Sequence, residues 1–216
     1  ATFSFCSYSN TRVFLMDCSG SMGGYGYNSY GNVFDNTKGE LVKHISQQPD
    51  SINLVLLTFC ETVSEPIVGK DAILANLQNL RVKKGNSDIV SALLRSKEIH
   101  SETPKTTFLI SDGFYNLGSM DKLNSELSKY SSELSNDDFL YLYLVVPDQE
   151  TTDLAEEFKR LPKLDVTKSL DVFQDKAKTN VTEPKKDKST STQKLFIDKN
   201  ENQSMNINWW KLLLLI

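Results

Sequence analysis

Residues 12–21 read RVFLMDCSGS, a mostly apolar run that passes directly into a short polar loop. Runs of this kind, with no polar alternation, are typical of strands buried on both faces of a parallel sheet. Three further runs have the same character: residues 52–59, 106–110 and 139–146. A weaker run at residues 62–68 predicts a short edge strand, because Pro66 removes a backbone donor that a central strand would need.

Between these runs the apolar residues recur at spacings of three, four and seven, which is typical of amphipathic helices. Five such stripes lie at residues 34–45, 73–80, 89–99, 120–134 and 154–161. Alternating strands and helices predict an α/β fold, in which a doubly wound, mostly parallel, Rossmann-like sheet is flanked by helices.

The charge distribution argues against one class of partner. The chain of 216 residues has a formal net charge of −4, and its Lys and Arg residues form no basic stripe. A protein that binds along a nucleic acid needs cationic side chains in a continuous patch to neutralise the phosphates. We therefore predict no nucleic-acid partner.

The three cysteines, Cys6, Cys18 and Cys60, cannot all pair with one another. Cys18 and Cys60 adjoin apolar runs, where free cysteines are commonly buried. Buried thiols in a reducing compartment are favoured over a disulfide framework, which favours the cytoplasm or the cytoplasmic face of a membrane. The cell surface and secretion stay open.

The composition changes near the carboxyl end of the chain. Residues 1–178 are expected to form one domain, and residues 179–208 a polar, flexible linker and the start of a disordered C-terminal tail, because they have no sustained apolar period. Residues 209–216 begin with Trp209 and continue into a leucine run. This apolar tail is either the start of a membrane anchor or a short docking segment, since a full span needs about 20 apolar residues.

Polar residues follow two of the predicted strands. Asp17 ends the run at 12–16, and Asp112 follows the run at 106–110. In open α/β sheets ligands bind at the carboxyl ends of the strands, so these two carboxylates are expected to meet. Ser87 precedes a predicted helix and brings a hydroxyl to the same edge.

Asp17, Ser19 and Ser21 occupy alternate positions, so an extended loop would turn their three oxygens the same way. Together with Ser87 and Asp112 they would form an all-oxygen site with two carboxylates. Hard cations prefer such ligands, which predicts Mg²⁺, with Mn²⁺ and Ca²⁺ as alternatives.

This pattern resembles the metal-ion-dependent adhesion site of von Willebrand factor A-like domains, the class that includes integrin I-like domains. The resemblance is carried by Asp17, Ser19 and Ser21 as Asp-x-Ser-x-Ser, by Ser87 where the family usually has threonine, and by Asp112 with Gly113. It covers about residues 12–171 in the order of the elements. The expected fold is therefore the Rossmann-like fold of that family.

The resemblance implies a role for each residue. Ser19, Ser21 and Ser87 would ligate the ion, while Asp17 and Asp112 would act largely through water. An acidic side chain, Asp or Glu, from a partner protein would fill the open coordination position. The cofactor is then the cation, and the partner is a protein.

Each part of the pattern also has a structural interpretation. Asp112 with Gly113 is an ordinary turn signal, and Ser87 is an ordinary helix N-cap. Asp17 and Ser19 are residues that cap loops after strands. Their combination, in this order and at these strand ends, favours the metal site.

Aromatic residues surround the predicted site. The glycine-rich stretch 23–31 contains Tyr25, Tyr27 and Tyr30, and Phe114 and Tyr115 directly follow the Asp-Gly pair. Tyrosine among glycines suits a recognition surface, so we predict that these five residues contact a partner. A merely flexible insertion, and inward packing of Phe114 and Tyr115, are equally consistent with the sequence.

The sequence thus predicts a binding module for adhesion or complex assembly and not an enzyme. The alternative is a metal-dependent hydrolase that uses the same cation as a Lewis acid. That alternative lacks a visible general base, because Asp17 and Asp112 are committed to the metal.

Overall fold

The computed structural model describes residues 10–25, 31–115, 117–145 and 152–170. These residues contain a mostly parallel sheet in the order β3-β2-β1-β4-β5-β6. The strands are β1 Thr11–Asp17, β2 Asn53–Phe59, β3 Ile67–Val68, β4 Lys105–Ser111, β5 Phe139–Leu144 and β6 Leu164–Thr167. Neighbouring strands are parallel except β3, which runs antiparallel to β2. The predicted α/β class is confirmed.

Helices flank the sheet on both faces. They are α1 Phe34–Ser46, α2 Lys70–Asn79, α3 Ile89–Lys97, α4 Met120–Glu133 and α5 Asp153–Arg160. One core cluster joins one face of the sheet to α3, α4 and α5, and the other joins the opposite face to α1 and α2. Every residue of β1 is buried, and successive side chains enter opposite clusters, as the absence of polar alternation in this strand predicts.

The two edges of the sheet differ in how well the sequence predicts them. β3 lies at one edge directly after Pro66, as predicted, although it contains only two residues of the run at 62–68. β6 lies at the other edge and was not predicted. In this four-residue strand only Leu164 is buried, so its apolar signal is too weak to distinguish it from a loop.

Some predictions fall outside the described residues. The linker at 179–208 and the apolar tail at 209–216 are among them, so the domain boundary near 178 stays a prediction. Among the residues that are described, no helix is both long enough and apolar enough to span a bilayer.

Candidate metal site at the carboxyl edge of the sheet

The pairing of β1 with β4 brings two strand ends together. The two strands are parallel neighbours, with Met16 opposite Ile110, so the residues that follow meet at the carboxyl edge of the sheet. A third segment, the connection from α2 to α3, crosses the same edge. Its backbone is held by hydrogen bonds from Lys83 N to Cys18 O (2.8 Å) and from Gly20 N to Gly85 O (3.0 Å). The connection thereby carries Ser87 to the strand ends.

Asp17 is the centre of the hydrogen-bonded network at this edge. Its side chain is fully buried and accepts a hydrogen bond from Ser19 N at 2.8 Å. Its other oxygen accepts hydrogen bonds from Ser87 Oγ and Ser111 Oγ, both at 2.8 Å. Burial raises the pKa of Asp17, although these hydrogen bonds act in the opposite direction. The network fixes the orientation of the carboxylate before any ligand binds.

The two serines of the loop also lie together, with Ser19 Oγ and Ser21 Oγ separated by 3.1 Å. The expectation of an extended loop was wrong, because a 3-10 turn spans Ser21–Gly23. Gly20 has helical dihedral angles, and Gly23 N and Tyr25 N both donate to Gly20 O at 3.0 Å. The two hydroxyls are therefore brought together by a turn, and not by alternation along an extended chain.

Asp112 completes the set of five residues predicted for the metal. Its side chain is buried, and one carboxylate oxygen accepts a hydrogen bond from Phe114 N at 3.2 Å. The other oxygen, Oδ2, is buried and has no hydrogen-bond partner in the structure. Burial, and next the charge of Asp17, raise the pKa of Asp112 to about 6, while a hydrogen bond from Ser21 lowers it. A buried carboxylate oxygen without a partner is costly unless a cation or water reaches it.

The donor set is dominated by hydroxyls. Within the described part of the chain, no group of three or more His, Cys, Asp and Glu residues is placed to hold a metal. The candidate site has two carboxylates, and Ser19, Ser21 and Ser87 supply the remaining oxygens. Such an all-oxygen set fits Mg²⁺ or Mn²⁺ better than zinc.

The interpretation of Ser87 as a helix cap was wrong. Asp88 is the N-cap of α3, and its carboxylate accepts hydrogen bonds from Ser91 N at 3.0 Å and Ser91 Oγ at 2.6 Å. Ser87 is buried one residue earlier and donates to Asp17. Its hydroxyl therefore lies at the site, where it is hydrogen-bonded to Asp17.

Sequence reasoning missed Ser111, the last residue of β4. Its hydroxyl donates to Asp17 and accepts a hydrogen bond from Gly113 N at 3.1 Å, so it links the first carboxylate to the turn that carries the second. A signal for it does exist in the sequence. Aligning the ends of the two neighbouring parallel strands places Ser111 opposite Asp17, one step beyond the pair formed by Met16 and Ile110.

We expect Ser111→Ala to weaken Mg²⁺ binding about tenfold, because outer-sphere partners that orient a ligand carry effects of this size. Calorimetric titration of the full chain measures the affinity. Ser125→Ala, at an exposed serine of α4, is the matched control and should bind Mg²⁺ as the wild type does. An unchanged affinity in Ser111→Ala would show that this hydroxyl does not support the site.

The predicted aromatic rim is only partly exposed. Tyr25 is 55% exposed and Phe114 39% exposed, whereas Tyr115 is partly buried and packs against the core. Tyr27 and Tyr30 lie outside the described residues. Tyr25 and Phe114 are thus available to a partner next to the site, and their role stays a prediction.

Cys18 lies between Asp17 and Ser19, in the loop predicted to bind a metal (the metal loop, residues 17–21), but is 1% exposed. Burial, followed by the charge of Asp17, raises the pKa of its thiol to about 12. The thiol is therefore protonated at neutral pH and is poorly suited to attack a substrate. Cys60 is also buried, and both cysteines are free.

The sequence between residues 12 and 114 matches the family model of the von Willebrand factor type A domain. This segment contains the five predicted metal residues and the strands that carry them. The match covers just under half of the chain, and this segment is therefore similar to the von Willebrand factor type A domain. None of the curated proteins compared with the sequence matches it.

Three solved structures are similar to this chain at low sequence identity. A von Willebrand factor type A protein from Catenulispora acidiphila is 15% identical over 62% of this chain and 32% of its own, with a TM-score of 0.49. An aerotolerance-related membrane protein from Bacteroides fragilis is 15% identical over 67% of this chain and 75% of its own (TM-score 0.48). Proximal thread matrix protein 1 of the mussel byssus is 17% identical over 79% of this chain and 44% of its own (TM-score 0.50). The chain thus spans about a third of the first protein and under half of the third, and the likeness concerns the fold alone.

Proposed function

We propose that this domain is a divalent-cation-dependent protein-binding module, and not an enzyme. The observation that carries the proposal is the buried oxygen Asp112 Oδ2, which has no hydrogen-bond partner and belongs to the same cluster as Asp17. Two buried carboxylates repel one another unless a positive charge lies between them. A bound cation would remove this cost, and the surrounding hydroxyls are the ligands that a hard cation takes.

Mg²⁺ is the proposed ion, with Mn²⁺ and Ca²⁺ as alternatives. The hydroxyls of Ser19, Ser21 and Ser87 would hold it, and Asp17 and Asp112 would supply the negative charge, largely through water. The bound ion would act by attracting an anionic ligand from outside. Ser87 and Ser111 both donate to Asp17, so they keep its carboxylate in one orientation toward the proposed ion.

The proposed partner is a protein that presents an Asp or Glu side chain. Three neutral hydroxyls leave the cation able to accept one more charged oxygen, and a carboxylate is the anionic oxygen donor that proteins carry. Tyr25 and Phe114, both exposed, would add contact area around this bond. Adhesion and the assembly of a larger complex are both uses of such a module.

The pKa of Asp112 leads to a prediction about pH. This carboxyl titrates near 6 in the folded protein and has an ordinary value of 3.8, so the folded state binds the extra proton between these values. The stability of the metal-free protein should therefore fall as pH rises through this window, by about 3 kcal/mol. Mg²⁺ requires the ionised form and should raise the melting temperature more at about pH 7.5 than at about pH 5. Thermal unfolding with Mg²⁺ and with EDTA measures this, and an equal effect of Mg²⁺ at both pH values would contradict it.

The proposed function is tested by capture of proteins from a native extract. Immobilised full-length chain is compared in Mg²⁺, in EDTA, and as the Asp112→Asn variant in Mg²⁺. A protein retained only by the wild type in Mg²⁺ would support metal-dependent binding and identify the partner. Retention of the same proteins in all three arms would show that the metal loop is not the recognition site.

A further inference from the structure

Two lysines flank the metal loop in a chain whose net charge is negative. Lys83 and Lys84 lie in the connection between α2 and α3, and both are exposed. Among the described residues, neither has a carboxylate within the 4.0 Å of an ion pair. Glu61 approaches the same connection, but its carboxylate accepts a hydrogen bond from Asn86 N. The two positive charges are therefore available to a ligand.

The backbone fixes these lysines beside the predicted metal ligands. Lys83 N donates to Cys18 O at 2.8 Å, and Gly85 O accepts from Gly20 N at 3.0 Å. Cys18 and Gly20 are the neighbours of Ser19 on either side, so the two lysines lie along one flank of the loop. This contact is a property of the fold and does not depend on a ligand.

Tyr25 positions the second lysine. Tyr25 N donates to Gly20 O at 3.0 Å. Tyr25 and Gly85 therefore both hydrogen-bond to Gly20. Lys84 Nζ lies 5.8 Å from the centroid of the Tyr25 ring, within the range of a cation–π contact. The ring is 55% exposed and Lys84 is also exposed, so both the ring and the ammonium are accessible from solvent next to the loop.

The residues directly after Asp112 bring no cation to the loop. Phe114 follows Asp112 there, and Tyr115 packs inward with its pKa raised by burial and by the nearby Asp88. These residues therefore add one exposed aromatic side chain, whereas the connection between α2 and α3 presents two cations beside the Tyr25 ring, together with the Glu61 carboxylate that accepts from Asn86 N. A ligand with a single carboxylate would leave the lysines unused.

We propose that the partner segment is acidic and carries at least two carboxylates, one for the cation and a second for Lys84 above Tyr25. Lys83 adds to the positive potential on the same flank. This inference rests on the proposed function, since the first carboxylate is the one that completes the metal. The proposal also gives the path of the bound segment, which runs from the metal loop toward the connection between α2 and α3.

Fluorescently labelled peptides test the inference with the full-length chain. One peptide carries a single glutamate in a Gly-Ser background, a second set adds another glutamate at increasing separations, and matched peptides carry glutamine instead. Binding is followed by fluorescence anisotropy in Mg²⁺ and in EDTA. The protein variants are Lys84→Ala and, as the matched control at an exposed lysine of α4, Lys129→Ala. Calorimetry with Mg²⁺ alone measures metal binding independently of any peptide.

The expected result is that, at one separation, the two-glutamate peptide binds about three- to fivefold more tightly than the one-glutamate peptide, the effect of a partly exposed ion pair. Lys84→Ala should remove this gain without changing the affinity for Mg²⁺, and Lys129→Ala should retain it.

If Mg²⁺ binds but a second glutamate does not tighten binding at any separation, or if Lys84→Ala keeps the gain, the inference is overturned and the metal site stands. If Mg²⁺ itself does not bind, the proposed function and the inference fail together. If anionic lipid vesicles bind through Lys84 without Mg²⁺, the lysines serve a membrane surface and the inference is likewise overturned.

Discussion

Asp112→Asn is expected to abolish Mg²⁺ binding and, in the same protein, to stabilise the metal-free fold. The carboxylate is buried beside Asp17 and leaves one oxygen without a hydrogen-bond partner, so its ionised form at neutral pH lowers the stability of the fold. Asparagine has nearly the same shape and no charge. The free energy of unfolding in EDTA should rise by about 1–2 kcal/mol, because the cost of ionising a buried acid disappears. If the carboxylate had only a structural role, Asp112→Asn would instead lower the free energy of unfolding in EDTA.

The loss of metal affinity should be large, about 100-fold or more, since removing one charge of a buried interaction costs about 2–5 kcal/mol. Thermal unfolding of the variant and the wild type, each with Mg²⁺ and with EDTA, measures both effects. Asp121→Asn, at an exposed aspartate of α4, is the control and should behave as the wild type. A variant that is less stable in EDTA yet still stabilised by Mg²⁺ would contradict the proposed role of Asp112.

Gly113→Ala is expected to cause a large loss of stability in the domain. Gly113 has φ of +80°, where a side chain is strained, and an added Cβ would lie 2.6 Å from Thr152 Oγ1 and 2.9 Å from Leu144 Cδ1. Thr152 caps α5, so the turn has little room to move. The strain and the close contacts together should cost about 2–4 kcal/mol.

The same change at Gly39 provides the matched control. Gly39 lies on the exposed side of α1, and an added Cβ would meet no heavy atom within 4 Å. Gly39→Ala should stabilise the domain by about 0.5–1 kcal/mol, because alanine loses less backbone entropy in a helix than glycine does. Chemical denaturation of both variants measures the two effects. Equal stabilities for Gly113→Ala and the wild type would show that the turn after β4 tolerates a side chain.

The central strands and the proximity of Asp17 to Asp112 could be predicted because their signals are local. Buried parallel strands require apolar residues on both faces, so β1 and β4 appear as continuous runs. The polar residues that follow them must lie at the same edge, which brings Asp17 and Asp112 together before any coordinates are known.

Features that depend on contacts between distant segments were not predicted. β6 has one buried residue, and its pairing with β5 stabilises it more than its composition does. Ser111 reaches Asp17 through the register between two strands. The buried Asp17 carboxylate is satisfied by hydrogen bonds from three donors in separate segments of the chain. Asp17→Ala would therefore destabilise the fold as well as remove a residue of the candidate site, because it would leave buried donors without an acceptor.

Titration of the full-length chain with Mn²⁺ at neutral pH, with free Mn²⁺ followed by electron paramagnetic resonance, tests the central claim most directly. The account predicts a single site per chain that excess Mg²⁺ displaces, that Asp112→Asn removes and that Asp121→Asn retains. No bound Mn²⁺ in the wild type, or the same bound Mn²⁺ in Asp112→Asn, would contradict the assignment of a metal to these five residues.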